Sequence, residues 1–269
     1  MAKSDPLLSR KILDLLETAE KSNRLACTRF LTPAELLEAS IAAKKAGWLP
    51  AAAGTAGYFF YGGYENAERR RMFVFPFPAD VSGPLASMDP ETYFCIVEAI
   101  AGRPGDPGPG HRDILGALMS IGIRRDAVGD ILVDTGKSSA WMILDPTVAQ
   151  LILQNLEKIG HHTVRFRELS LSDFRPDIPE GQTVITTGTV ASLRLDAVAA
   201  LAFGIARADM ASRIRHGDVQ VNWVECADPD RLLAEGDRMT LRGTGKAVLT
   251  DIGGKSRKGR SFLTIERPK

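Results

Sequence analysis

The sequence has little that would support several common classes of protein. Its 269 residues include only three cysteines, Cys27, Cys95 and Cys226, and none of them stands in a Cys-x-x-Cys pair. This spacing argues against a disulfide scaffold and against a zinc ribbon, and it fits a reducing compartment. The sequence has no run of about 18 apolar residues, and its first residues have no apolar core like that of a secretory signal. We therefore expect a soluble cytoplasmic protein.

Motifs for cofactors and catalysis are also missing. The sequence contains neither a Gly-x4-Gly-Lys-Ser/Thr phosphate loop nor a Gly-x-Ser-x-Gly nucleophile elbow. Its glycine-rich loop, residues 102–110, contains three prolines, which remove backbone donors that a cofactor cradle would use. The histidine pair His161-His162 has no further metal ligands at suitable spacing. We predict no cofactor, no bound metal and no catalytic residue.

Positive and negative charges nearly balance over the whole sequence, but they are unevenly distributed. The net charge is only +1, so the whole chain does not have the basicity typical of many nucleic-acid-binding proteins. Residues 183–269, however, hold fourteen Lys or Arg against ten Asp or Glu, and residues 252–269 hold six basic residues and one acid. This asymmetry indicates an acidic partner for the C-terminal part, although a solvated basic tail explains the charge equally well.

Proline- and glycine-rich segments at 80–90 and 172–182 predict three modules, 1–79, 80–171 and 183–269. In the first, apolar residues at helical spacing predict a helix over 7–20. Thr32-Pro33 and Glu35 predict the start of a second helix, which ends at Gly47. The apolar run Met72–Phe77 is prone to form a strand, so this module is a small α/β unit.

The middle module shows a β-α-β-β-α-β order. The predicted elements are strands at 93–101, 131–133, 140–144 and 164–169, a helix from His111, and a helix over Pro146–Ile159 capped by Asp145. This order is the ferredoxin-like arrangement of RRM folds, and it makes the whole chain α+β. Its strands lack the aromatic-rich signature of an RNA-reading RRM, so we expect a scaffold that does not read single strands.

The third module combines two short helices, strands and clustered basic residues. Leu195, Val198 and Leu201 share a helix face that ends at Gly204, and a second helix is predicted over Arg207–His216, closed by Gly217. VQVNWV alternates as a half-buried strand. The candidate phosphate-binding residues are Arg194, Arg207, Arg213, Arg215, Lys246, Lys255, Arg257, Lys258 and Arg260. Alternatively, Asp209 and Arg213 are spaced for an i,i+4 pair on a solvated face.

The third module resembles the S4 RNA-binding domain. The matching residues are Arg194-Leu195-Asp196, Ala206-Arg207, the run Ile214-Arg215-His216-Gly217-Asp218-Val219-Gln220-Val221-Asn222, and Gly236-Asp237. The sequence departs from the family at Ala206, where serine is usual and would cap the helix. It departs again at Trp223, where glycine is usual, so the turn must differ or the indole faces the ligand. The resemblance implies RNA binding and adds Asn222 to the candidate site.

A second resemblance covers nearly the whole chain. TRFLTP, GGYENAERRR, HRDILGALMSIGIRRDAVGDILVD, NLEKIG and SLRLD are similar to the YlmH family, which includes cyanobacterial proteins labelled photosystem II S4-domain proteins. The resemblance implies an N-terminal module, an RRM-like middle domain and a C-terminal S4 domain. It also implies binding to rRNA and tRNA on the large ribosomal subunit, with no membrane or DNA partner. For GGYENAERRR, internal charge pairing and RNA contact both remain open.

Two other classes of function compete with RNA binding alone. S4-type domains also occur in pseudouridine synthases and rRNA methyltransferases, and Arg194-Leu195-Asp196 superficially matches a synthase motif. No segment the size of a catalytic domain surrounds Asp196, and no glycine-rich turn suits a methyl-donor site. A protein-interaction adaptor with an incidental basic tail is the remaining class. We predict a non-catalytic RNA-binding protein.

Overall fold

The computed structural model describes residues 6–102, 108–134, 138–174 and 183–268. The fold is α+β, and these residues divide into two compact units, 6–174 and 183–268. The first unit holds both the first and the second predicted module, and the three-module division itself stays a prediction. Most of the predicted glycine-rich loop at 102–110 and of the joint at 172–182 lies outside the described residues.

The first unit begins with two helices packed on one face of a small sheet. Its elements are α1 (Pro6–Ser22), β1 (Ala26–Cys27), α2 (Pro33–Lys45), β2 (Gly57–Tyr61) and β3 (Arg71–Phe75), with the antiparallel strand order β1-β3-β2. The predicted start of α2 is confirmed as a capping box. The amide of Thr32 donates to Glu35 Oε2 at 2.6 Å, and the amide of Glu35 donates to Thr32 Oγ1 at 3.3 Å.

The rest of this unit contains a larger antiparallel sheet with two helices on one face. Its elements are β4 (Cys95–Ala101), α3 (His111–Ser120), β5 (Val128–Asp134), β6 (Ser139–Leu144), α4 (Pro146–Asn155), β7 (Lys158–Ile159) and β8 (His162–Leu169). The strand order is β5-β6-β4-β8-β7. The prediction that α4 continues to Ile159 is wrong. Leu156 leaves the helical region at φ −109° and ψ 120°, and Lys158 then pairs with Thr163 in a hairpin.

The two sheets of the first unit bury aromatic side chains between them. Phe73 and Phe75 on β3 belong to the same buried cluster as Phe94, Ile96 and Ile143 of the larger sheet. The ring centroids of Phe73 and Phe94 are 6.0 Å apart. Alternate residues of β3, Met72 and Val74, pack under α1 and α2 instead. The small sheet is therefore buried on both faces, which explains the continuous apolar run in its sequence.

The second unit is a six-stranded antiparallel sheet with two helices over its apolar face. Its elements are β9 (Thr183–Val190), α5 (Leu195–Phe203), α6 (Arg207–Arg215), β10 (Val219–Val221), β11 (Val224–Glu225), β12 (Arg238–Leu241), β13 (Gly245–Lys255) and β14 (Ser261–Pro268), in the order β11-β10-β12-β13-β14-β9. The interpretation of VQVNWV as one strand is wrong, because the chain reverses at Asn222-Trp223 and β10 pairs with β11.

Candidate nucleic-acid interface

The start of α5 and the start of α6 meet at one buried carboxylate. The side chain of Asp196 is only 5% exposed, and it accepts hydrogen bonds from both Arg194 and Arg207. Arg194 donates from Nε to Oδ1 at 3.2 Å and from Nη2 to Oδ2 at 2.9 Å. Arg207 donates from Nε to Oδ2 and from Nη2 to Oδ1, both at 3.1 Å. Asp196 of the Arg194-Leu195-Asp196 motif thus brings together two of the predicted site residues.

This arrangement keeps Asp196 ionised. Burial by itself would raise the pKa of Asp196, but the hydrogen bonds from Arg194 and Arg207 outweigh that effect, so the pKa lies below its ordinary value. Arg194 also forms an ion pair with Asp230. The side chain of Arg207 remains 53% exposed, against 34% for Arg194. Of the two cations, Arg207 therefore offers the larger surface to a ligand.

The other two arginines of α6 lie in different surroundings. Arg213 donates from Nη2 to the carbonyl oxygen of Arg242 at 3.0 Å and lies 3.7 Å from Asp218, so the i,i+4 pairing with Asp209 is not formed. Arg215 is exposed. Because a helix turns about 100° per residue, Arg213 lies roughly 120° around α6 from Arg207, whereas Arg215 lies roughly 80° away. The three arginines do not form a single stripe.

Asn222 and Trp223 form the two-residue turn between β10 and β11. Both residues have positive φ, at 50° and 64°, the left-handed region in which glycine is usual. The Asn222 side chain donates to Asp237 Oδ1 at 2.7 Å and accepts from the amide of Arg238 at 2.9 Å. The guanidinium of Arg238 lies 5.1 Å from the centre of the Trp223 ring. Asn222 therefore holds this turn in place, and Trp223 occupies a left-handed position despite its large side chain.

The hairpin that joins β13 to β14 carries the densest positive charge. Lys255, Arg257 and Lys258 are exposed, and none of them forms an ion pair within the described parts of the chain. Arg260 is anchored to β9, because it donates from Nε to Thr189 Oγ1 at 3.0 Å and from Nη2 to the Thr189 carbonyl oxygen at 2.5 Å. The tip is therefore a basic projection fixed at its base.

Lys246 lies away from that tip. It stands opposite Thr240 in the pairing of β13 with β12, and it is half-buried. Its neighbours Ala247 and Leu249 alternate with it toward the apolar core, which places Lys246 on the other face of the sheet. The candidate basic residues thus occupy several separate positions on the second unit.

In the first unit, the face of the larger sheet opposite its helices is covered by other parts of the unit. Phe94, Ile96 and Ile143 on that face pack against Phe73 of the small sheet, and Trp141 packs near Phe174. A sheet that reads single-stranded RNA needs exposed aromatic rings on this face. Here the rings are buried, so stacking of bases on them is blocked.

The motif GGYENAERRR, residues 62–71, joins the two sheets of this unit. The carboxylate of Asp130 on β5 accepts from the Tyr64 hydroxyl at 2.8 Å and from the amides of Glu68 and Arg69 at 2.7 and 3.0 Å. The Arg69 guanidinium is buried and donates to the carbonyl oxygens of Val128, Phe30 and Arg125 at 3.0, 3.3 and 3.3 Å. Internal bonding thus accounts for the Arg69 side chain.

Arg71 of the same motif is also buried. It forms an ion pair with Asp145, the residue that caps α4 by accepting from the amide of Thr147 at 3.0 Å. Its guanidinium lies 4.8 Å from the centre of the Phe30 ring. Arg29 approaches the same carboxylate from the surface at 2.5 Å. Arg69 and Arg71, two of the three consecutive arginines, are therefore structural. Glu68, the acid that precedes them, is exposed at the surface.

A cleft of about 230 Å³ lies beside these residues, and its lining includes Arg29, Arg124, Asp126 and Thr147. Arg124 is already bonded to Asp126, and Arg29 to Asp145, so the charges in and beside the cleft are largely balanced. Among the described residues, no group of three or more His, Cys, Asp or Glu side chains is placed to hold a metal ion. None of the described helices combines the length and apolar character needed to cross a bilayer.

Comparison with known proteins assigns the chain to a family. Residues 8–77 match the family model described as "YlmH, N-terminal", and residues 109–173 match "Putative RNA-binding domain in YlmH". Over 259 residues the chain is 32% identical to the "Ribosome-associated protein quality control protein P2" of Bacillus subtilis (strain 168), covering 96% of this chain and 93% of that protein. The chain belongs to the YlmH family. Similarity to the "Cell division protein ylmH from Streptococcus pneumoniae" is lower, at 20% identity and a TM-score of 0.49 over 64% of this chain and 94% of that one.

Membership of the YlmH family confirms the resemblance that the sequence motifs indicated. The two matched family models fall within the first compact unit, whereas the residues expected to contact RNA were drawn from the second. For this YlmH-family protein, the similarity to the Bacillus relative spans both units, because it covers nearly all of each chain.

Proposed function

We propose that this YlmH-family protein is a non-catalytic, cytoplasmic RNA-binding protein that recognises structured rRNA and tRNA on the large ribosomal subunit. In this proposal the second unit is an S4-type domain, and the larger sheet of the first unit, in which a β-α-β-β-α order is followed by the β7–β8 hairpin, is an RRM-like scaffold. The Bacillus relative is named as ribosome-associated, and one matched family model is named for RNA binding, which supports the proposal.

The observation that carries the proposal is the exposed positive charge of the second unit. Arg207 and the hairpin-tip residues Lys255, Arg257 and Lys258 present cations at fixed places on a compact domain. Phosphate contacts of this kind supply affinity and fix orientation, while the shape of a folded RNA supplies selectivity. In the first unit, the aromatic rings on the face of the larger sheet are buried and offer no surface on which bases could stack. This is consistent with recognition of RNA shape.

The environment of Asp196 supports a role without catalysis. A catalytic aspartate must reach its substrate, but this carboxylate is buried and already accepts four hydrogen bonds from two arginines. The motif Arg194-Leu195-Asp196 is similar to one in pseudouridine synthases, but here its aspartate has a structural role, because it holds two arginines. We propose that Asp196 modifies no RNA base.

The test is co-sedimentation of the purified protein with bacterial ribosomal subunits at low and high salt. We expect migration with the large subunit that weakens steeply as salt increases, because phosphate contacts release counterions. A variant with Arg207, Lys255 and Lys258 changed to alanine should lose most of this migration, while Lys11→Ala, an exposed change in the first unit, should not. Migration unaffected by the triple change would refute this surface, and a complex that survives ribonuclease would favour the adaptor function.

A further inference from the structure

Asp196 is a buried acid bonded to Arg207, one of the cations proposed to bind an anion. A carboxylate within hydrogen-bonding distance of Arg207 lowers the positive potential that a phosphate would meet there. On charge alone, its presence weakens RNA binding. Its position is nevertheless well built, because the side chain is buried and both of its oxygens accept from two arginines. This combination suggests that the geometry matters more than the charge.

The bonds to Asp196 fix the plane of the Arg207 guanidinium. A guanidinium has five N–H donors, and Arg207 uses one on Nε and one on Nη2 for Asp196. Among the described residues, Arg207 forms no other hydrogen bond, which leaves both donors of Nη1 and one of Nη2 for a ligand. The three remaining N–H groups form the outer edge of the guanidinium. Because two hydrogen bonds already hold the group in one orientation, the side chain loses little further conformational freedom when this outer edge binds a ligand.

Arg194 has a different place in the cluster. It contacts the same two oxygens of Asp196 but is bonded in addition to Asp230, and its side chain is less exposed than that of Arg207. The backbone around it is also fixed, because the amide of Leu195 donates to the carbonyl oxygen of Arg231 at 2.8 Å. Arg194 therefore also holds Asp196 in place, and its positive charge compensates part of the negative charge beside Arg207.

We propose that Asp196 is a positioning residue for RNA binding, which orients Arg207 so that the outer edge of its guanidinium meets a phosphate group. This inference rests on the proposed RNA-binding function. It assigns the contact to Arg207 and a supporting role to Arg194 and Asp196. The two charged residues of the Arg194-Leu195-Asp196 motif would thus act through Arg207, which lies eleven positions after Asp196.

The change Asp196→Asn separates positioning from charge, because the two effects have opposite signs. It removes a negative charge beside Arg207, so a purely electrostatic role predicts tighter RNA binding. An amide has one acceptor oxygen and cannot receive two guanidinium forks, so a positioning role predicts weaker binding. We expect affinity for large ribosomal subunits to fall roughly tenfold, the size of a lost charge-assisted contact. The salt dependence of binding should fall by about one phosphate contact.

A matched control removes a different acid from the same cluster. Asp230 is 65% exposed and bonded to Arg194 but not to Arg207. Asp230→Asn makes the same chemical change and should leave affinity unchanged or slightly higher. Thermal unfolding of each variant checks that the second unit remains folded.

A second variant keeps the test decisive if Asp196→Asn does not fold. Arg207→Lys retains the charge at an exposed position but cannot form a two-bond fork with Asp196. We expect it to lose nearly as much affinity as Arg207→Ala. Wild-type affinity in Arg207→Lys, or equal or tighter binding by folded Asp196→Asn, would overturn the positioning role. If Arg207→Ala binds as well as wild type, the contact is elsewhere and this inference fails, while RNA binding stands. If the wild-type protein binds no subunit, the proposed function itself fails.

Discussion

The Arg69 guanidinium donates from Nε to the carbonyl oxygen of Val128 at 3.0 Å, and so links the segment that precedes β3 to the first residue of β5 across 59 residues of sequence. Nη2 of the same side chain reaches the carbonyl oxygens of Phe30 and Arg125. One buried cation thus satisfies three main-chain acceptors that belong to different segments. This bonding makes the two sheets of the first unit depend on each other.

Arg69→Ala should strongly destabilise the first unit. The change removes three buried hydrogen bonds and leaves the carbonyl oxygen of Phe30 without a donor among the described residues, so we expect the free energy of unfolding to fall by about 2–4 kcal/mol. Urea denaturation followed by circular dichroism measures this loss. Arg124→Ala is the control, because that side chain is 80% exposed and pairs with Asp126 at the surface, so its removal should cost under about 1 kcal/mol. Equal losses in the two variants would contradict the joint role of Arg69.

Asp145 should make the first unit sensitive to acid. Burial by itself raises its pKa, but hydrogen bonds from Thr147 and Arg71 lower it by more, so the folded pKa lies below the ordinary value of 3.8. A lowered pKa stabilises the fold above the unfolded pKa, and this contribution disappears as the pH falls through the folded pKa. We expect Asp145→Asn to lose stability at pH 7, and its difference from wild type to narrow below about pH 4.

Unfolding curves at pH 7 and pH 3 measure that difference for Asp145→Asn. Asp14→Asn is the matched control, because Asp14 is exposed on α1. Its stability should follow that of the wild-type protein at both pH values. A deficit of Asp145→Asn that stays constant from pH 7 to pH 3 would show that its ionisation is not coupled to folding.

Two glycines of the first unit should respond to alanine with opposite signs. A Cβ on Gly129 would lie 2.7 Å from Phe30 Cε1 and 3.1 Å from the Ile143 carbonyl oxygen, so Gly129→Ala should cost about 1–3 kcal/mol of stability. Gly116 is exposed inside α3 with nothing within 4 Å of an added Cβ, so Gly116→Ala should stabilise by up to about 1 kcal/mol. Calorimetry on both variants tests the packing of Phe30 between the sheets.

Asn222 should matter for folding of the second unit. Asn222→Ala removes two hydrogen bonds and places alanine at positive φ, and we expect a loss of about 1–3 kcal/mol. Glycine adopts positive φ without strain, so Asn222→Gly loses only the two hydrogen bonds. Its stability should lie between those of wild type and Asn222→Ala. Scanning calorimetry on the three proteins measures the order of their stabilities. If folded Asn222→Gly loses RNA affinity as well, the residue also contacts RNA, as the S4 resemblance implies.

The hairpin tip should affect RNA binding without affecting stability. Lys258→Ala removes an exposed cation that has no ion-pair partner among the described residues, so the salt dependence of RNA binding should fall by about one contact while the melting temperature stays unchanged. Arg260→Ala should alter both quantities, because its side chain is bonded to Thr189. Filter-binding titrations at several salt concentrations measure the dependence. An unchanged slope for Lys258→Ala would remove the tip from the interface.

Local signals in the sequence predicted many elements correctly. The predictions failed where pairing between strands decides the backbone conformation. The start of α2 depends on Thr32 and Glu35, three residues apart, and was predicted. The end of α4 was misplaced because Lys158 pairs with Thr163, and this hairpin overrides a weak helical pattern. At Asn222-Trp223 the alternation of VQVNWV indicates one strand, because tryptophan is rarely found at positive φ, whereas the S4 resemblance places a turn at Trp223.

For the candidate site, the sequence indicated which residues are basic but not how they are held. The S4 resemblance selected Arg194 and Arg207, and the fold brings both to Asp196. In sequence, that carboxylate appears as part of the S4 motif and of a synthase-like motif, but its burial and its two arginine partners depend on the tertiary structure. Likewise, the arginines of GGYENAERRR appear as a surface charge cluster until tertiary structure buries Arg69 and Arg71.

The strand order of the second unit has a consequence for how the protein is made. β9, the first strand of the unit, pairs along its whole length with β14, so Thr183 lies opposite Pro268. During synthesis β9 emerges early and stays without its neighbour until residues 261–268 have been translated. The basic tip, whose Arg260 is bonded to Thr189 of β9, is therefore assembled only at the end of translation of this unit. A product truncated before β14 would leave an unpaired strand edge, prone to aggregation, instead of a functional surface.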